Sequence, residues 1–187
     1  PGRTRAEDRG SFLFTHAGYS GPVVLNLSRA VSAEPVPTRL LLRADWQPDQ
    51  TLESLADALA EGARQSGKKT VAGWVSDRLP RRLAAVVLMQ AAVPSERRLA
   101  ELSRPQRQAV VQAMPLPIRG TLGFAKAEVT AGGIALAEVD SRTLRSLRAP
   151  GLLLAGEVLD LDGPIGGYNF QAAFSTGWLA AEKLPPK

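Results

Sequence analysis

Gly156, Glu157, Asp160, Gly166, Gly167, Tyr168 and Asn169 combine two carboxylates with several glycines in one short run of the chain. Glycine lets a ligand approach the backbone closely, and the start of a helix offers unpaired N–H groups with a partial positive charge. Carboxylates accept hydrogen bonds from hydroxyls such as those of a ribityl or ribose chain. The chemistry open to these residues is therefore the holding of an anionic or electron-rich ligand. From the glycines alone, an ordinary strand-loop-helix turn with Gly166–Gly167 as a tight corner explains the same run.

Two elements must position it. Gly151-Leu152-Leu153-Leu154-Ala155 is a short uncharged run that suits a strand buried on both faces. After the acidic loop, Phe170, Ala173, Phe174, Gly177, Trp178 and Ala181 recur at helical spacing. They predict a helix starting between Gly167 and Asn169, running toward Lys183 and burying that stripe.

The run GEVLDLDGPIGGYNFQAAFSTGWLA resembles the C-terminal signature of the BaiN/YhiN-like flavoproteins, a family of NAD(P)/FAD-dependent oxidoreductases. Two further matches fall in the same order: FTHAGYSGP at Phe14–Pro22 and AEVTAGGI at Ala127–Ile134. The resemblance implies an α+β fold: a β-barrel-like unit with an inserted helical cap, then the C-terminal strand-loop-helix segment of a Rossmann-like FAD domain. It implies FAD as cofactor, with NAD(P)H as a possible reductant, and a cofactor side built from Thr130, Gly132, Gly133, Gly156, Glu157, Asp160, Gly166, Gly167, Tyr168 and Asn169. The family's opening strand-GxGxxG-helix unit, which holds the pyrophosphate, has no counterpart here. The chain thus reads as the insert and C-terminal part of a longer flavoprotein, whose missing N-terminal FAD-binding half is the implied partner. It departs from the family's usual pattern at Leu144, Arg145 and Leu147, where Met, Glu and Lys are common, which bears on specificity more than on fold.

With 187 residues, 44% of them hydrophobic, the chain can bury a core. It has no cysteine, which excludes disulfides, thiolate metal sites and redox dithiols, so redox chemistry needs a bound cofactor. The apolar stretch 83–94 is too short for a membrane span, and a soluble, cytoplasmic protein without membrane or nucleic-acid partners is expected. The net charge of +5 comes from arginines scattered along the sequence, whereas nucleic-acid binding wants a clustered basic face.

In chain order, residues 1–46 and 116–149 are read as the β-rich unit, 47–115 as the helical cap and 150–187 as the FAD-domain segment. Ser11–His16 predicts a strand ending at Ala17–Gly18, and Pro22 a helix start. Thr38–Ala44 predicts a second strand. Leu52, Leu55, Ala56, Leu59, Ala60 and Ala63 form one helical stripe; Val71 to Leu79 predicts a second helix, Pro80 the first turn of a third, and Ser95 and Ser103 caps of the last two. Alternation around Val129 predicts a strand turned at Gly132–Gly133 into Ile134–Val139.

His16, the single histidine, has no Cys or second His with which to build a metal site. A lone His at a strand end is more often a packing residue; the resemblance also makes it a candidate for the substrate side. No catalytic acid or base can be named, and Tyr168 either donates a proton or packs. Two functional classes stand: part of a flavin-dependent oxidoreductase acting on a small molecule and inactive as an isolated segment, or a non-catalytic binding or interaction domain.

Overall fold

The computed structural model describes residues 4–184. The chain divides into two compact units, Pro1–Leu40 with Arg119–Lys187, and Leu41–Ile118. Its helix and strand content is mixed, and among the described residues no helix is long and apolar enough to cross a membrane.

In the first unit, Leu13–Thr15 (β1) and Gly18–Ser20 (β2) pair antiparallel with Thr15 opposite Gly18, so His16 and Ala17 form a two-residue turn. The sequence reading has one strand stopping at this point. The chain reverses instead because Gly18 takes φ 134°, and the Thr15 hydroxyl donates to the Gly18 carbonyl at 3.1 Å. Phe12, Phe14 and Tyr19 group their rings on the hairpin, with Phe12 and Phe14 centroids 4.9 Å apart. A Cβ on Gly21, at φ 95°, would lie 2.7 Å from the Ser11 carbonyl oxygen. That close approach sets up Pro22–Ser32 (α1), with Pro22 at its first position as expected.

The second unit is closed by Leu42–Ala44 (β3), which pairs antiparallel with a strand at Met114–Leu116. Between them run Leu52–Gln65 (α2), Val71–Ser76 (α3), Arg81–Gln90 (α4) and Arg104–Val111 (α5); the closing strand is β4. Thr51 caps α2 by accepting from the Ser54 N–H, Thr70 caps α3 through Gly73, and Ser103 forms a capping box with Gln106 on α5. Pro80 stands just outside α4 as its N-cap. Ser95 caps no helix. Its carbonyl accepts the Ala72 N–H, because the chain here bridges Arg98 to Thr70 and makes only a 3-10 turn at Leu99–Glu101. Leu55, Leu59, Val71, Trp74, Leu88 and Leu99 make the core, and each Leu sealed from water contributes about 1.5–3 kcal/mol. The Arg78 guanidinium lies 3.7 Å over the Trp74 ring. The four strands thus form two separate two-stranded sheets, and they close no barrel; β3 and β4 go with the helices and not with the hairpin.

From Arg119 the first unit resumes, and here β-structure is much sparser than alternation suggests. The hairpin expected across Gly132–Gly133 is absent: Ile134 pairs in parallel with Leu159, and Leu136–Glu138 is a 3-10 turn. The cause is steric. A Cβ on Gly133 would meet the Val158 oxygen at 2.6 Å, so this glycine is where two backbones touch. Gly151–Ala155 makes a single bridge, Arg145 to Leu153, and Leu152 is exposed, so no strand buried on both faces forms here. The Asp140 carboxylate accepts the Arg142 and Thr143 N–H groups, and Leu144 follows at φ 56° with its side chain buried. Val139, Leu144, Leu154 and Leu159 form the small core of this unit.

The last helix, Tyr168–Glu182 (α6), begins where expected but buries a different face. Leu179 and Ala180 pack on the small core, while Phe170, Phe174 and Trp178 are 74%, 75% and 72% exposed. Spacing fixes which residues share a face; what covers the face depends on other chain, and none of the described residues lies over this one.

Candidate functional site

Gly167 caps α6 in the left-handed conformation, φ 96°, ψ −9°, and Gly166 precedes it at φ 116°. Neither has an atom within 4 Å of the place a Cβ would occupy, so both glycines are needed for conformation and leave open space beside the backbone. The first N–H groups of a helix have no intrahelical acceptor, and at this end the Gly167 carbonyl takes the Gln171 N–H at 2.9 Å.

The loop ahead of α6 is held from three sides. Asn169 clamps it by accepting the Gly163 N–H at 2.8 Å and donating to the Gly163 carbonyl at 3.0 Å. Asn26 of α1 accepts the Ile165 N–H at 2.9 Å while donating to Asp8, and Arg29 bridges to Asp162 at 2.8 Å. At the other end, the Gly156 N–H donates to the Thr176 hydroxyl, which itself donates back to Ala172 and Ala173 carbonyls as a helical threonine does. The loop geometry is therefore determined by side chains on two helices.

Residues 130–134 join the same arrangement. Glu157 accepts the Thr130 N–H at 2.7 Å, Ile134 donates to Val158, and Asp160 donates back to Ile134. Thr130, Gly132, Gly133, Gly156, Glu157 and Asp160 are thus brought together beside α6. Thr176 lies eight residues along the helix from Tyr168, about 12 Å at 1.5 Å per residue, so this group borders the helix body and Gly166–Asn169 its tip. Gly133 serves the backbone packing; Gly132, at φ 95° with open space, is free to face a ligand. Glu157 has one oxygen committed to Thr130, and Asp160 is exposed. Tyr168 is 64% exposed at the helix start.

His16 stands apart. Its side chain is exposed on the hairpin turn, and among the described residues no hydrogen bond joins it to the loop. Sequence reasoning missed Asn26, Arg29, Asp162 and Thr176. Asn26 did leave a signal: it interrupts the apolar stripe of α1 three residues after buried Val23.

The HI0933-like protein Rossmann domain model matches residues 11–183, nearly the whole chain and every segment of this site. The chain belongs to that family. The chain is similar to two curated proteins named ribosomal RNA dihydrouridine synthase, from Escherichia coli K12 (36% identical over 180 residues, 94% of this chain and 42% of the relative) and from Haemophilus influenzae Rd (31% over 179 residues, 90% and 41%). A third, from Clostridium scindens, is named 3-dehydro-bile acid delta(4,6)-reductase and is 32% identical over 179 residues, 94% of this chain and 44% of the relative. These are the BaiN/YhiN-like flavoproteins that the three sequence motifs resemble. The chain spans less than half the length of each of these relatives.

Proposed function

We propose that the chain contributes the flavin-ring side of an FAD-dependent oxidoreductase whose nucleotide-binding half lies in a longer polypeptide, with NAD(P)H as the reductant. The observation that carries this is the tip of α6: two adjacent glycines in conformations other residues avoid, open where a Cβ would sit, on a loop that Asn169 clamps at Gly163. A cradle of that kind fits a planar ring laid against backbone N–H groups.

FAD, when bound, supplies the two-electron chemistry. The residues of this chain bind and orient. N–H groups at Gly166–Asn169, with the positive end of the α6 dipole, stabilise negative charge on a ring edge placed there. Asp160 and the second oxygen of Glu157 accept hydrogen bonds from ribityl hydroxyls, and Thr130 and Gly132 line the approach. The exposed stripe Phe170, Phe174 and Trp178 packs against the remainder of the FAD domain and keeps water from the flavin. The helical unit acts as a cap, with His16 on the substrate side. Residues 1–46 with 116–149, less the β3 and β4 segments that go with the helical unit, belong to the insert and 150–187 to the FAD domain. The relatives' names share one reaction type, reduction of a carbon–carbon double bond in a ring system, and we assign that type to the parent protein, working in the cytoplasm.

The test compares flavin occupancy and melting temperature in the longer polypeptide for Gly167→Val and for Arg104→Ala, an exposed position on α5. A selective loss of flavin in Gly167→Val is expected. A Gly167→Val protein with full flavin and an unchanged reduction rate refutes the assignment. The 187-residue chain alone should bind FAD more weakly than micromolar, about −8 kcal/mol, since phosphate contacts anchor a dinucleotide.

A further inference from the structure

Between α2 and α5 the helical unit opens a cleft of about 390 Å³, within the range of about 300–1,000 Å³ that small-molecule sites occupy. Its floor is apolar. Leu52, Ala56 and Ala60 follow one another at four-residue spacing along α2, and the two alanines are short enough to leave the space open. Leu55 and Leu59 of α2 and Val110 of α5 share the buried core of the unit, so both sides of the cleft stand on a fixed base.

The walls carry opposite charge. Glu53 and Asp57, four residues apart on α2, line one side, and Arg104 and Arg107, three apart on α5, line the other. Elsewhere on this unit opposite charges within reach close on each other: Glu61 takes Arg64 at 2.6 Å and Asp77 takes Lys69 at 2.8 Å. Across the cleft they do not. Among the described residues none of these four side chains has an ion-pair or hydrogen-bond partner, so two carboxylates and two guanidiniums border one space with their charge unspent.

We propose that this cleft binds a short zwitterion with an ammonium at one end, a carboxylate at the other and a small apolar body between, the chemistry of a dipeptide. The charge layout makes the choice. A polyanion meets Glu53 and Asp57, a polycation meets Arg104 and Arg107, and such like-charge juxtapositions are costly. An uncharged ligand covers all four side chains without giving any of them a partner. A second copy of this chain would set one cleft against another and leave a void between them. A dipeptide extended over its two residues spans about 7 Å, close to the roughly 8–10 Å between the axes of packed helices, so its ends reach opposite walls while its side chains lie on the alanines. Arg107 then grips the carboxylate with its forked N–H donors, and Asp57 accepts from the ammonium. The inference goes beyond the flavin reading and does not rest on it.

The test needs no flavin, so its failure leaves the flavin assignment standing. The probe is L-alanyl-L-alanine, titrated into the 187-residue chain and followed through backbone amide shifts by NMR. Saturable shifts are expected at Ala56, Ala60 and Arg107, with a Kd of about 1 mM. N-acetylated dialanine, which lacks the ammonium, and dialanine amide, which lacks the carboxylate, should each bind roughly fivefold more weakly, the upper range for an ion pair open to water. Glu53→Gln with Asp57→Asn should weaken dialanine to the same degree while leaving the acetylated probe unaffected, and Arg107→Gln should do the same with the amide. The blocked probes examine the charges on the unaltered chain, so a variant that misfolds leaves the test standing. Absence of saturable shifts below about 10 mM, blocked probes that bind as well as dialanine, or shifts at the cleft that grow with protein concentration when no probe is present would each overturn the proposal.

Discussion

Replacing Gly133 with alanine should be the most damaging single-methyl change in the 130–134 segment, although the residue looks like one half of a turn. The added Cβ would lie 2.6 Å from the Val158 oxygen, 2.9 Å from the Leu159 carbonyl carbon and 3.0 Å from the Asp160 nitrogen. All three are backbone atoms, so no side chain can swing aside, and the two strands of chain must part. Parting them breaks the Ile134 to Val158 and Asp160 to Ile134 hydrogen bonds, 2.8 and 2.9 Å, each about 0.5–1.5 kcal/mol net. It also shifts Leu159, 2% exposed in the small core, with an overpacking cost of about 1–3 kcal/mol. A total of about 2–6 kcal/mol corresponds to a melting temperature lower by roughly 4–24 °C in a protein of this size. Gly167→Ala is the comparison: it meets no atom within 4 Å and carries only the left-handed backbone cost, about 1–2 kcal/mol. Denaturant unfolding of both variants, with hydrogen exchange at the Ile134 and Asp160 amides, checks the reasoning. A Gly133→Ala chain as stable as Gly167→Ala, with both amides still protected, refutes it.

Leu59→Ala removes a side chain of zero exposure from the helical core and should destabilise by about 2–5 kcal/mol, read from the chemical denaturation midpoint. Asn169→Ala deletes both halves of the Gly163 clamp; protease cutting between Asp162 and Gly167 should accelerate by about tenfold or more while the helical unit keeps its exchange protection, since two hydrogen bonds are worth about 1–3 kcal/mol. Burial among the hairpin rings raises the Tyr19 phenol above its ordinary pKa. A raised folded value means the folded state holds the proton more tightly, so this contribution is present below about pH 10 and is lost as pH rises through the folded pKa; ultraviolet titration should show one tyrosine ionising late, and Tyr19→Phe should remove that phase.

The helices were legible because each is written locally. Ser103 with Gln106 is a signal complete within four residues, and the Leu55–Leu59 stripe finds its partners inside the same unit. The start of α6 was legible for the same reason, since Gly166 and Gly167 fix the backbone before it. Strands were misread where the partner was remote. Val129 alternates like a strand, yet Ile134 pairs with Leu159 across twenty-five residues, and only the absence of a Cβ on Gly133 permits it. The residues bracing the loop were not legible: Asn26, Arg29 and Thr176 act on it from elements whose placement no periodicity reveals.

The same distinction explains the exposed face of α6. Helical spacing assigns Phe170, Phe174 and Trp178 to one stripe, and apolar stripes are covered in folded proteins. Here Leu179 and Ala180 supply the burial and the aromatic stripe faces outward. The helix-start geometry does not depend on that missing cover: Asn169 bonds Gly163, and Asn26 and Arg29 hold Ile165 and Asp162, all within the unit. The glycine cradle is therefore set before anything packs on the aromatic face. A cofactor placed between that cradle and the covering chain would meet preformed N–H groups on one side, so the ordering cost of assembling the site falls on the covering partner and not on this loop.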